Sequence, residues 1–196
     1  MCHIGGISLS TLANMFKSAI SGLEALTDNR KDPLHVGEVM ACWTYLAFVE
    51  HIITYESVGL NTTTHKKLKS MFEEAIKTAQ GHRKQLSQFM REQGVALPRA
   101  PELKPKSDQN AIPLGAKFTD SELVNTLNIN FVIAADMCAA AASQCLRTDV
   151  GLMFLKFQAD KLALGFRTKE LMQKEGWLNL PPYYQPPGSL SKTSSK

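Results

Sequence analysis

VALPRAPELKPKSDQNAIPLGAKF, residues 95–118, is the stretch whose reading decides the fold. It spans 24 residues, carries Pro98, Pro101, Pro105 and Pro113, and shows no helical periodicity. Proline fixes φ and removes a donor, so the segment stays extended and poor in backbone hydrogen bonds. A turn within a helix bundle takes about 2–8 residues. A connection of this length can run along a bundle and re-enter at its far end.

The flanking sequence supplies two helical hairpins for it to join. Helix A is expected from about His35 to Ser57, with Val39, Trp43, Leu46, Glu50 and Ile53 on one stripe. Val58-Gly59-Leu60-Asn61 reads as the turn, with Gly59 placed to stop a helix. Thr62, Thr63 or Thr64 can cap helix B, whose stripe is Leu68, Phe72, Ala75, Ala79, His82, Leu86 and Phe89, and Gly94 ends it. Thr119 and Glu122 form a capping-box pattern that opens helix C, apolar almost all round to about Leu146 and so expected to be the most buried. Helix D runs from about Val150 to Glu175, with Val150, Phe157, Leu164 and Leu171 seven residues apart, and Gly176 stops it. Two hairpins joined by one long crossover is the connectivity of an all-α, ferritin-like up-down four-helix bundle. The domain reading is therefore residues 1–32 as an extension with an amphipathic helix (Leu9, Leu12, Phe16, Ile20 and Leu23), 33–180 as the bundle, and 181–196 as a Pro/Ser-rich strap and disordered tail. The polar face of the first helix is poor in Lys and Arg, which favours an accessory helix on the bundle over one lying on a membrane.

Composition narrows the function classes. A net charge of +4 from 22 basic and 18 acidic residues, with no basic run or aromatic-basic platform, does not point to nucleic acid. No stretch reaches the roughly 18 uninterrupted apolar residues of a membrane span, and the N-terminus lacks a secretory pattern. Cys2, Cys42, Cys138 and Cys145 fit neither a metal knuckle nor a disulfide framework and read as reduced thiols in a cytoplasmic protein. There is no P-loop, no Gly-x-Ser-x-Gly elbow and no dinucleotide fingerprint, and Ser57 and Ser143 have no evident base.

Charged residues on apolar stripes are the remaining candidates for chemistry, because burying a charge is costly without a partner. Glu50, His82, Asp136 and Lys161 stand out, with Asp136 and Lys161 a plausible ion pair. A hairpin turning near Leu60 sets Glu38 and His82 at one level, with His35 one helical step away. If the crossover makes B and C parallel, Asp149 comes to the same end. His35, Glu38, His82 and Asp149 then form a candidate site for iron or another divalent metal. The pattern departs from the Glu-x-x-His pairs of di-metal bundles, since the chain has only His-x-x-Glu, at 35–38.

Five phrases carry a resemblance: PLHVGEVMACW at 33–43, GVALP at 94–98, GAKFTD at 115–120, RTDVGLMF at 147–154, and KEGWL at 174–178 followed by Pro181-Pro182. They resemble an uncharacterised family of spore-forming bacteria, domain-of-unknown-function family 3231, related to spore coat protein F. The resemblance spans roughly Pro33 to Tyr184 and implies a ferritin-like bundle and no established activity. It reaches His35, Glu38, Trp43, Arg147 and Asp149; Glu50 lies in none of the phrases. The reading that results is a non-enzymatic, cytoplasmic or spore-associated structural protein. It would act through protein partners or self-association as a homodimer through helix A or the first segment. A metal-binding bundle is the alternative, and an apolar core that opens for a small hydrophobic ligand is a third reading.

Overall fold

The computed structural model describes residues 9–26, 32–184 and 186–187. These form five helices, α1 (Leu9–Leu26), α2 (Val36–Thr62), α3 (Lys66–Glu92), α4 (Asp120–Gln144) and α5 (Thr148–Glu175), with no strand among the described residues. Cys2 and the tail from Gly188 onward lie outside them.

The helix ends follow local chemistry. Thr119 and Glu122 close the expected capping box on α4, and Gly176 takes a left-handed φ of 72° to end α5. The caps of α2 and α3 are both histidines, His35 and His65, whose Nδ1 atoms accept from first-turn backbone N–H groups. The α2–α3 turn is therefore Thr63–His65, not the Val58–Asn61 expected from sequence. Gly59 sits inside α2 because Phe72 of α3 packs directly on its backbone, where a Cβ would overlap the ring. The glycine serves close approach between helices rather than termination.

Helix directions follow from contacts at the ends. Tyr55 donates to the Leu123 carbonyl (3.0 Å), and Thr63 donates to Asp120 (2.5 Å), so α4 begins where α2 ends. That end is also where α3 begins, so α3 and α4 run parallel, while α2 is antiparallel to both. The crossover between α3 and α4 spans the length of the helices. Its first residues, Val95 and Leu97, pack on the core cluster that includes Cys42, Leu46 and Met90, while farther on the Pro105 carbonyl accepts from Asn61 and Gln109 donates to the Thr63 carbonyl. At the same end His65 meets Trp177, which with Leu178 packs on the Leu68–Phe72 part of the core. Beyond it, Leu180, Tyr183 and Tyr184 are exposed.

Two faces depart from the sequence reading. Trp43, assigned inward, is exposed with Val36 and Met40 on the outer stripe of α2, and the core stripe is Cys42, Tyr45, Leu46, Val49 and Ile53. Helix α4, expected to be the most buried, exposes Ile129, Val132 and Ile133. Both helices are apolar on every side, so periodicity cannot choose a buried face. By length and composition alone each is also apolar enough to cross a membrane, although polar residues interrupt both; both give side chains to the bundle core. On α5, Leu152 and Ala159 point away from the core stripe yet are buried, because α1 packs along α5 with Ile20 inside and Lys17 reaching Asp160 at 2.6 Å. Phe16 and Leu23, predicted for the same stripe as Ile20, are about half exposed.

Candidate functional site

Three of the four predicted metal ligands meet at one end of the helices, where they form a structural knot. His35 caps α2, and its backbone N–H donates to Glu38 Oε2 at 3.1 Å. Glu38 Oε1 accepts from the backbone N–H groups of Leu146 (2.9 Å) and Arg147 (2.8 Å) in the α4–α5 turn. Arg147 grips Asp149 with both Nε (3.0 Å) and Nη2 (2.6 Å), while Nη1 donates to Gln93 and to the Asp32 carbonyl. Its guanidinium also lies 5.5 Å from the Phe89 ring centre. One buried arginine thus gathers the start of α2, the end of α3 and the α4–α5 turn. Burial pushes the Glu38 pKa up, but the backbone donors of Arg147, His35 and Leu146 outweigh it and hold the carboxyl below its ordinary value. The Arg147 hydrogen bonds lower Asp149 in the same way.

His82 is not part of this knot. Moving the turn to Thr63–His65 shifts the α2–α3 register, so His82 faces Tyr45 instead of Glu38. The Tyr45 hydroxyl donates to His82 Nδ1 (3.0 Å), and Nε2–H donates to Asp160 Oδ2 (3.2 Å). Asp160 Oδ1 takes Lys17 of α1, and the Phe157 ring stacks on His82 with centroids 4.1 Å apart. Burial lowers the His82 pKa to about 4, leaving the ring neutral at pH 7. Asp160 sits below its usual range: burial raises it, but the His82 and Lys17 hydrogen bonds prevail. Among the described residues no group of three or more His, Cys, Asp or Glu is placed to hold a metal ion.

The other inward charges also differ from expectation. Asp136 is exposed, so it cannot neutralise Lys161 in the core. Glu50 is half-buried and pairs with Arg83 at 3.5 Å. Lys161 is fully buried, and the charge it feels most is that of Glu56, an equally buried residue with no place among the sequence candidates. Burial pushes Glu56 up to about 7 and Lys161 down. Tyr45 and Asp160 were likewise absent from those candidates. The available signal was a polar atom at core spacing, with Glu56 three residues beyond Ile53 and Tyr45 one residue before Leu46. Among the described residues the thiols offer no nucleophile at neutral pH, since burial raises Cys42 and Cys138 to about 12 and Cys145 to about 11.

A family model described as "Protein of unknown function (DUF3231)" matches residues 24–190. The chain belongs to this family. A relative, the uncharacterised protein YvdQ of Bacillus subtilis strain 168, is 32% identical over 160 residues, covering 81% of this chain and 94% of the relative. A crystal structure of a protein called a putative spore coat protein (BH2358), from Bacillus halodurans C-125, superposes with a TM-score of 0.78 at 34% identity. That match covers 81% of this chain and 99% of the solved one. The family match begins near the end of α1, so the knot at Glu38–Arg147 and the Tyr45–His82–Asp160 chain lie within it, whereas Lys17 lies before it.

Proposed function

We propose that this protein is a ferritin-like four-helix bundle with a structural role in the spore or cytoplasm, acting through protein contacts, first of all with a second copy of itself. The observation that carries the reading is the exposed apolar surface of two neighbouring helices. Val36, Met40 and Trp43 line the outer face of α2, and Ile129, Val132 and Ile133 that of α4. Exposed apolar surface of this kind marks interaction sites on soluble proteins, and Trp is enriched where interfaces are tightest. Support for the ferritin-like description comes from the helix directions and the full-length crossover. The relative called a putative spore coat protein supports the spore setting.

The polar interior fits a structural role. Arg147 spends its guanidinium on protein partners, His82 is neutral and bonded at both ring nitrogens, and the described thiols are protonated. Arg147 and His82 are thus occupied in holding helices together. The experiment is fractionation of sporulating cells that carry the tagged full chain, beside a Met40→Lys/Ile133→Lys variant. The wild type should be enriched in the spore fraction and the variant depleted from it at equal expression. Equal partitioning of the two would count against the surface as the carrier of function.

A further inference from the structure

Among the described residues, five buried side-chain atoms have no hydrogen-bond partner: both carboxylate oxygens of Glu56, Asn128 Oδ1, Lys161 Nζ and Thr168 Oγ1. They come from α2, α4 and α5, and two of the residues, Asn128 and Lys161, line one cavity with Gly165. Lys161, Gly165 and Thr168 follow each other at four and three residues, so they share one face of α5. Across the α4–α5 pair, Phe131 lies against both Lys161, whose Nζ is 5.5 Å from the ring centre, and Gly165. Asn128, one turn before Phe131 in the antiparallel partner, therefore comes to the level of Gly165–Thr168. Glu56 on α2 acts on Lys161 through its charge without a hydrogen bond. Buried polar atoms are almost always satisfied, so Asn128 Oδ1 and Lys161 Nζ, orphaned beside one cavity, call for a partner.

Space for that partner exists. A cavity of about 30 Å³ opens between α4 and α5, with Asn128, Phe131, Lys161, Leu162, Gly165 and Lys169 in its lining. A water molecule needs roughly 10–15 Å³ measured in this way, so one or two fit and an organic ligand does not. A metal cation is disfavoured by the Lys161 ammonium and by the lack of a ligand trio among the described residues. A Cβ on Gly165 would make only an ordinary 3.7 Å contact with Phe131, so backbone crowding does not require glycine there.

We propose that Gly165 keeps open a water site between α4 and α5, in which one or two ordered waters bond Lys161 Nζ and Asn128 Oδ1. The waters supply hydrogen bonds that the protein leaves unmade at these two atoms.

Crystals of the full chain diffracting to high resolution should show solvent density within hydrogen-bond reach of both Lys161 Nζ and Asn128 Oδ1, and an empty cavity there would overturn the proposal. Thermal unfolding gives a second test. Gly81 is an exposed helical glycine with open space around it, so Gly81→Ala should raise the melting temperature through helix propensity alone. Gly165→Ala should raise it less, or lower it, because the methyl displaces water. That deficit should shrink in a Lys161→Met background. An equal rise for both alanine variants would show that no bound water is displaced, against the proposal.

Discussion

The Tyr45 hydroxyl and His82 Nδ1 lie 3.0 Å apart across the α2–α3 pair, and this bond fixes the register of the first hairpin. It joins two buried groups whose alternatives to each other are few, because Nε2 is already held by Asp160. Tyr45→Phe removes the donor and strands Nδ1 in the core. The expected cost is about 1–3 kcal/mol of unfolding free energy, the usual penalty for an orphaned buried acceptor. Urea denaturation measures it, and a change below about 0.5 kcal/mol would show that the bond does not hold the register.

The pH dependence of stability should carry two opposed contributions. His82 is lowered to about 4 from 6.5, so the unfolded chain takes up the proton first and stability falls as pH drops from about 6.5 toward 4. Glu56 is raised to about 7 from 4.5, so the folded chain holds its proton longer and stability falls as pH rises from about 4.5 to 7. At about 1.4 kcal/mol per pKa unit, each is on the order of 3 kcal/mol, and they largely cancel where they overlap. Single variants separate them. Glu56→Gln should steepen the loss toward acid, and His82→Gln should leave stability declining from pH 4.5 to 7. Identical profiles for the two variants would refute the assignment.

The outline of the fold was legible in the sequence because it rests on strong signals. Four prolines in 24 residues cannot be helix, and the stripes of α3 and α5 alternate cleanly enough to name their buried faces. The candidate site was less legible for two physical reasons. Gly59 resembles a helix stop but serves the Phe72 contact, and the resulting error in the turn hid the pairing of His82 with Tyr45. Helices α2 and α4 are apolar on all sides, so nothing local indicates that Trp43 and Ile133 face outward. The meeting of His35, Glu38 and Asp149 at one end was readable from level-matching. Their role was not, because it depends on backbone N–H groups that no side-chain pattern encodes.

Glu38 should be among the most sensitive polar positions. Glu38→Ala leaves the Leu146 and Arg147 N–H groups without their acceptor and removes half of a capping box. The expected loss is about 2–4 kcal/mol, from two orphaned donors and a weakened cap. Glu38→Gln keeps an acceptor and should lose about half as much. Because the carboxyl sits below its ordinary value, its contribution is present above pH 4.5 and lost as pH falls through the folded value. Chemical denaturation at about pH 7 and about pH 3 should therefore show the gap between wild type and Glu38→Gln narrowing in acid.

Gly59→Ala should lose about 1–3 kcal/mol, because its methyl overlaps the Phe72 ring in a packed core. Phe72→Leu should recover part of that loss when combined with Gly59→Ala, although alone it costs stability. Strict additivity in the double-mutant cycle would contradict direct packing of the two residues.

Sedimentation equilibrium on the full chain tests the central claim most directly. If the apolar faces of α2 and α4 are an interface between copies, the wild type should move from 21.7 kDa toward twice that mass as concentration rises. A Met40→Lys/Ile133→Lys variant with an unchanged circular dichroism spectrum should stay monomeric throughout. A wild type that remains monomeric at all concentrations, or a variant that associates equally well, would contradict the account.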